Sequence, residues 1–323
     1  MRYIVYGAGA IGSAIGALLQ RSGREVTLIA RGAQLDALQR DGLTLETPGG
    51  DETLSVSAVG SPADAEIGSN DIVLLAMKTQ DTAIALDALA AVAHARTPIV
   101  CAQNGVENER LALRQFENVY AMYVFSPCEF VSPGITRIYA AAPAGILDLG
   151  RLPGGADERA EEIASELMSA GYDSRPLDDP MRWKYSKLLD NLGNAVQALC
   201  GSHDDGTDVL NARARDEGIE CFSVAGIEYT SLEERRERTA GLKLREVHGD
   251  GHRGGSSWQS LVRGTGTIEA SYLNGEIALL GRLHGVPTPV NETLERLAAR
   301  AAREGMRPGS MTAAEVAAEI ERV

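Results

Sequence analysis

Residues 2–30 leave the N-terminal half of this chain few folds to choose from. Arg2 to Tyr6 is a short apolar run rich in β-formers, and Gly7 stops it. Ala10 to Arg21 is small and apolar with few breakers, which suits a helix packed on a sheet. Glu25 to Ala30 reads as a second buried strand. Strand, glycine turn, helix and strand in about 30 residues make a βαβ unit. The turn, Gly7-Ala8-Gly9-Ala10-Ile11-Gly12, is G-x-G-x-x-G. Its first glycine permits the tight turn, its second lets backbone approach a pyrophosphate, and its third lets helix and strand pack closely; the helix N-terminus faces the negative charge. Alone the pattern is weak. Between a strand and a helix it predicts dinucleotide binding.

The end of the second strand bears on which dinucleotide. An NAD site usually places an acidic residue there for the ribose hydroxyls. This chain has Ala30-Arg31-Gly32. A guanidinium can pair with a 2′-phosphate that a carboxylate would repel, so NADP(H) is the expected cofactor. Asp71 to Met77 and Pro98 to Ala102 are near-continuous apolar runs, as parallel strands covered on both faces should be. Lys78 and Asn104 follow them, at what should be the carboxyl edge of the sheet, where ligands of open α/β sheets bind. Each has a plainer reading: Lys78 as a surface lysine, Asn104 as Asn-Gly turn chemistry.

A chain of 323 residues is about twice the usual domain length. Thr82 to Ala93 reads as a helix, Leu43 to Val59 as a hairpin-like excursion, and Val119 to Val124 and Gly134 to Leu149 as further strands, the latter an antiparallel addition. A helix at Ala156 to Ala170 and a short strand near Tyr172 to Leu177 close the domain. After Asp179-Pro180 the character changes: Met181 to Cys200, Asn211 to Ser231, Trp258 to His284 and Asn291 to Arg303 all read as helices, with a Gly249 to Gly255 loop among them. The expectation is an α/β Rossmann-type doubly wound sheet at 1–178, followed by an all-helical domain at 179–323.

Composition narrows the partners. With a net charge of −14 and no dense Lys/Arg run, nucleic acid is not an expected partner. Cys101, Cys128, Cys200 and Cys221 are far apart, without C-x-x-C spacing, which favours free thiols in a reducing compartment. The opening MRYIVYGAG runs into a glycine turn rather than a signal-peptide core, and no run of 18 apolar residues occurs. The expectation is a cytoplasmic protein with no membrane partner. His248 and His252 are four apart, but Gly249-Asp250-Gly251 between them breaks helical spacing, so no metal is expected.

GAGAIG, Arg31, LLAMKTQ (Leu74 to Gln80), QNGVEN (Gln103 to Asn108), the Lys187 helix and IEASYLNG (Ile268 to Gly275), taken in order, resemble the ketopantoate reductases over nearly the whole chain. The resemblance implies a helical second domain like that of 6-phosphogluconate dehydrogenase, and NADPH-dependent reduction of 2-dehydropantoate, a 2-oxo acid, to its 2-hydroxy product in pantothenate synthesis. It further implies Lys187 as general acid and Glu269 as the group that binds and orients substrate. Asn104, Asn191 and Ser257 would line the cleft, and Arg31 and Lys78 would lie nearer the cofactor.

The chemistry of the residues agrees. Hydride addition to a ketone leaves an alkoxide that needs a proton donor, and a half-buried lysine can supply one near neutral pH. On one continuous helix Lys187, Asn191 and Asn194 would share a face, and a solvent-exposed face is the plainer alternative. Glu269 could hold a substrate hydroxyl or cap a structural network, and Ser257 could be an N-cap or a carboxylate ligand. The family's second asparagine falls at Ala195, with Asn194 beside it; Gly264 to Thr267, Ala270 and Ser271 also depart from its pattern. These changes cluster on the substrate side. A paralogous NADP-dependent reductase, an opine-type reductase and a non-catalytic NADP(H) sensor therefore stay open. Ile277 to Leu283 could form a homodimer face or an internal core, and a homodimer is the expectation.

Overall fold

The structure is a computed structural model, and it describes residues 1–201, 204–250 and 254–322. In chain order the elements run β1 (Arg2–Tyr6), α1 (Ala10–Arg21), β2 (Glu25–Ile29), α2 (Gly32–Asp41), β3 (Leu43–Thr47), β4 (Gly50–Leu54), β5 (Ser57–Val59), β6 (Ile72–Leu75), α3 (Thr82–Ala90), β7 (Ile99–Cys101), α4 (Asn108–Leu113) and β8 (Val119–Phe125). They continue with β9 (Cys128–Ser132), β10 (Ile135–Ile138), β11 (Ile146–Leu152), α5 (Glu158–Ser169), α6 (Pro180–Asn191), α7 (Gly193–Cys200), α8 (Thr207–Ala225), α9 (Leu232–Thr239), α10 (Ser256–Val262), α11 (Asn274–His284), α12 (Pro289–Arg303) and α13 (Ala313–Ile320).

The chain forms two compact units. Met1–Lys184 and Ser231–His252 make the first; Tyr185–Thr230 and Arg253–Val323 make the second. The chain therefore crosses between them three times, where the sequence had suggested one cut near 178.

The first unit holds a seven-stranded sheet in the order β11-β8-β7-β6-β1-β2-β5. All neighbours are parallel except β11, which runs antiparallel to β8 as the sequence suggested for this stretch. The order reverses at β1, which has β2 on one side and β6 on the other; the carboxyl ends of such strands form the ligand-binding crevice of open α/β sheets. Gly134 to Leu149 is not one strand. Its first part, β10, joins β9, β3 and β4 in a separate four-stranded sheet. Helix α1 serves both sheets: its small and apolar side chains are buried from Gly12 to Leu19, in one core with Leu43, Leu45 and Ile138 of the small sheet and Val5 and Leu28 of the large one. A helix apolar all round belongs between two layers.

The segment 231–252 belongs to this unit through specific bonds. Ser231 and Glu234 form a capping box that starts α9. Arg238 then grips two carboxylates bidentately, Asp148 at 2.7 Å through Nε and Nη2 and Asp173 at 2.6 and 2.9 Å. Backbone bonds Ala141 N to Lys243 O and Arg245 N to Tyr139 O add a short antiparallel pairing. The Tyr172 to Leu177 stretch runs extended beside β11, joined to it by isolated bridges at Asp173 and Pro176.

In the second unit every element is helical among the described residues. Two expected long helices are broken. Met181 to Cys200 is α6 and α7 with a junction at Leu192, because Gly193 weakens the helix there. Trp258 to His284 is α10, a 3-10 turn at Glu269–Tyr272, and α11; Gly264 and Gly266 take positive φ (61° and 72°) in the gap. Among the described residues, no helix is long and apolar enough to cross a membrane. The four cysteines are buried and unbridged.

Candidate active site

The glycine turn of the first unit is built as its spacing requires. Gly7 has φ +107°, and a Cβ there would stand 2.6 Å from the backbone nitrogen of Met77. A Cβ on Gly12 would stand 2.1 Å from the Gly7 carbonyl oxygen, so only glycine allows this contact. Gly9 is different: nothing lies within 4 Å of where its Cβ would be. Gly9 also caps α1 without any side-chain hydrogen bond. Open space over a bare helix N-terminus fits a pyrophosphate. Ala8 is buried and Ala10 and Ile11 are half-buried around it. Two residues that sequence reasoning missed hold the turn from behind: Ser13 Oγ and Gln34 Nε2 each donate to the Ala8 carbonyl at 3.0 Å.

Arg31 is exposed, extended and at the N-cap of α2, just past β2. Burial pushes the Tyr6 phenol up and the charge of Arg31 draws it back. Lys78 is half-buried and extended between β6 and a 3-10 turn at Thr79–Asp81. Asn104 is half-buried after β7.

The turns after β6 and β7 share a buried polar network. Gln103 Nε2 donates to Met77 O at 3.0 Å and Thr82 Oγ1 at 2.8 Å. Thr82 donates to Asn108 Oδ1 at 2.8 Å, and Asn108 Nδ2 donates to Asn104 O at 2.9 Å and Thr79 Oγ1 at 3.2 Å. Lys184, in the first turn of α6, donates to Gln103 O at 3.1 Å and forms an ion pair with Glu109; the two side chains are 3% and 0% exposed. Burial pushes the Glu109 carboxyl up and Lys184 draws it back. Asn104 is thus more than an Asn-Gly turn, since its carbonyl is tied to the Lys78 loop through Asn108.

In the second unit Lys187 and Asn191 are four apart on α6 and share a face, both half-buried. Asn191 Oδ1 is buried with no hydrogen-bond partner among the described residues. Asn194 lies beyond the junction, on α7, and so is not on the same regular helix as Lys187. It faces the start of α10 instead: a Cβ on Gly255 would stand 2.7 Å from Asn194 Oδ1, and Gln197 Oε1 accepts from Gly255 N at 2.6 Å. Ser257 is buried in the first turn of α10; the N-cap is Gly255, so Ser257 is not a cap. Glu269 is buried in the 3-10 turn rather than in a helix, with Ser271 nearby bonding Glu295 at 2.7 Å.

Of the histidine pair weighed for a metal, His252 lies outside the described residues. His248 sits in the first unit, 3.0 Å from Asp51 and 3.9 Å from Glu46. Arg137 pairs with Glu46 at 2.6 Å and with Asp250 at 3.2 Å.

Known proteins match this chain over most of its length. The family model "Ketopantoate reductase PanE/ApbA" matches residues 3–154, and "Ketopantoate reductase PanE/ApbA C terminal" matches residues 179–302. The 2-dehydropantoate 2-reductase of Mesorhizobium japonicum is 30% identical over 94% of this chain and 98% of its own length. That of Archaeoglobus fulgidus is 31% identical over 92% and 96%. The crystal structure of a PanE/ApbA family ketopantoate reductase from Ralstonia eutropha superposes with a TM-score of 0.80 at 27% identity, over 94% of this chain and 99% of that one. A D-mandelate dehydrogenase solved with NADH and anilino(oxo)acetate gives the same TM-score at 22% identity, a likeness of fold.

Proposed function

This chain belongs to the ketopantoate reductase PanE/ApbA family, and from that premise we propose that it reduces 2-dehydropantoate to pantoate with NADPH. The observation that carries the reading is the alignment with relatives named 2-dehydropantoate 2-reductase along nearly their whole length. A bound nicotinamide supplies the hydride that adds to the carbonyl carbon of the 2-oxo acid.

The chain's own residues supply the rest. The turn Gly7–Gly12 and the N-terminus of α1 hold the pyrophosphate. Arg31 pairs with the 2′-phosphate and Lys78 adds a second cation, while Asn104 is held at the crevice by the network behind it. As the carbonyl oxygen gains negative charge, Lys187 Nζ gives it a proton, leaving a neutral amine and a hydroxyl. Lys184, the other lysine of α6, is held in a buried ion pair with Glu109 and donates to the Gln103 carbonyl. Asn191, whose buried amide oxygen has no hydrogen-bond partner among the described residues, lines the substrate side with Asn194 and Ser257. Glu269 holds a substrate hydroxyl.

The test is oxidation of NADPH by the purified protein with 2-dehydropantoate beside a panel of other 2-oxo acids. Selective turnover of 2-dehydropantoate is expected, and Lys187→Ala should lower kcat by about 10²–10⁴-fold. Turnover of a different panel member would move the substrate. Full activity in Lys187→Ala would remove that residue from the chemistry.

A further inference from the structure

Asn274 opens α11 inside the motif IEASYLNG and is fully buried, yet none of the roles above uses it. Its amide is fixed in orientation by two bonds: Nδ2 donates to the Leu192 carbonyl at 3.1 Å and to Asn291 Oδ1 at 3.0 Å. Asn291 in turn donates through Nδ2 to Ala214 O at 2.9 Å and Glu217 Oε2 at 2.8 Å. Glu217 completes the chain by accepting from the backbone nitrogens of Val290 and Asn291 at 2.8 and 3.0 Å, so it caps the start of α12. Two buried asparagines and a half-buried glutamate thus bolt α8, α11 and α12 to a single carbonyl.

That carbonyl is the junction of α6 and α7. Leu192 directly follows Asn191, and the next residue, Gly193, is the most permissive backbone the chain could place there. A Cβ on Gly193 would stand 2.9 Å from Asn211 Oδ1, so the Asn211 side chain would have to move aside for any other residue. A helix joint made flexible by glycine needs something else to set its angle. A carbonyl has two lone pairs, so a side-chain donor can seat on Leu192 O without displacing a helical bond. We propose that Asn274, backed by Asn291 and Glu217, is a positioning residue that fixes the α6–α7 joint and, through it, the aim of Lys187. The inference rests on the reading of Lys187 as proton donor.

A double-variant cycle tests it, because a group acting through Lys187 has nothing left to do once Lys187 is gone. Asn274→Ala is expected to lower kcat by roughly 10–100-fold, the scale of a misplaced catalytic group. The Kd for NADPH, read from its fluorescence, should stay within about twofold of wild type, on the same order as the error of such a comparison. Lys187→Ala/Asn274→Ala should be no slower than Lys187→Ala alone. If the two losses multiply, or if Asn274→Ala keeps full kcat, the positioning role is wrong and the network only stabilises the fold. Should Asn274→Ala fail to fold, Asn274→Ser decides the case by the same cycle, since its hydroxyl is too short to span both acceptors. The single variant Lys187→Ala separates the two layers: undiminished turnover there sinks the proton-donor reading itself, whereas an inactive Lys187→Ala beside a fully active Asn274→Ala sinks only the inference about the joint.

Discussion

Lys184 and Lys187 lie one turn apart on α6, the first buried and the second half-buried. Lys184 is sealed against Glu109, and removing one member of a buried pair leaves the other charge without compensation. Lys184→Ala should therefore cost about 3–5 kcal/mol in urea unfolding, and Lys184→Met/Glu109→Leu should regain most of it. Recovery in the double variant would separate a desolvation penalty from a loss of packing. At the cofactor end, Arg31→Asp should weaken NADPH about ten- to hundredfold, or roughly 1.5–3 kcal/mol, and leave NADH far less affected. Equal losses for both cofactors, measured by titration, would take Arg31 off the 2′-phosphate. The glycines and Arg31 could be nominated from local spacing, and Lys187 and Glu269 through the family resemblance. Gln34, Glu109, Lys184 and Asn274 could not, because their partners lie tens of residues away, and the Ser13 bond to the Ala8 carbonyl leaves no mark in residue type.

At the level of elements, the turn and α1 act as one part. Gly12 allows α1 to touch the Gly7 carbonyl, so Gly12→Ala must push the helix away from β1 and should lower both Tm and NADPH affinity. A variant with normal melting but lost cofactor binding would mean that the helix tolerates the shift and only the phosphate seat is damaged. The βαβ unit was legible because strand, turn and helix are neighbours in sequence and their periods differ sharply. Helix continuity was not. Residues 181–200 and 258–284 keep a helical pattern through their breaks, since Leu192 stays fully buried and Glu269 to Tyr272 still turns; only glycine geometry and tertiary bonds mark the interruptions. The split of β10 from β11 was hidden for a related reason, as strands show in sequence but their sheet does not.

For the whole molecule, the unit boundary was the least readable feature, because Ser231–His252 returns to the first unit after an excursion of helices. Arg238 secures that return. Its hydrogen bonds hold the Asp173 carboxyl below the usual aspartate range. A carboxyl lowered on folding contributes stability above its unfolded value, and that contribution is lost as pH falls through the folded one. Urea midpoints should thus decline for the wild type as pH drops below about 4, while Arg238→Ala starts lower and changes less over the same range. Parallel curves would show that the clamp does not govern acid sensitivity. The three crossings also set an order of events during synthesis. Asp148 and Asp173 emerge from the ribosome well before Arg238, with α6, α7 and α8 made in between. At ~5–20 residues per second, the nucleotide-binding half must wait several seconds, with Arg175 alone beside the two carboxylates, before the strap that completes it arrives.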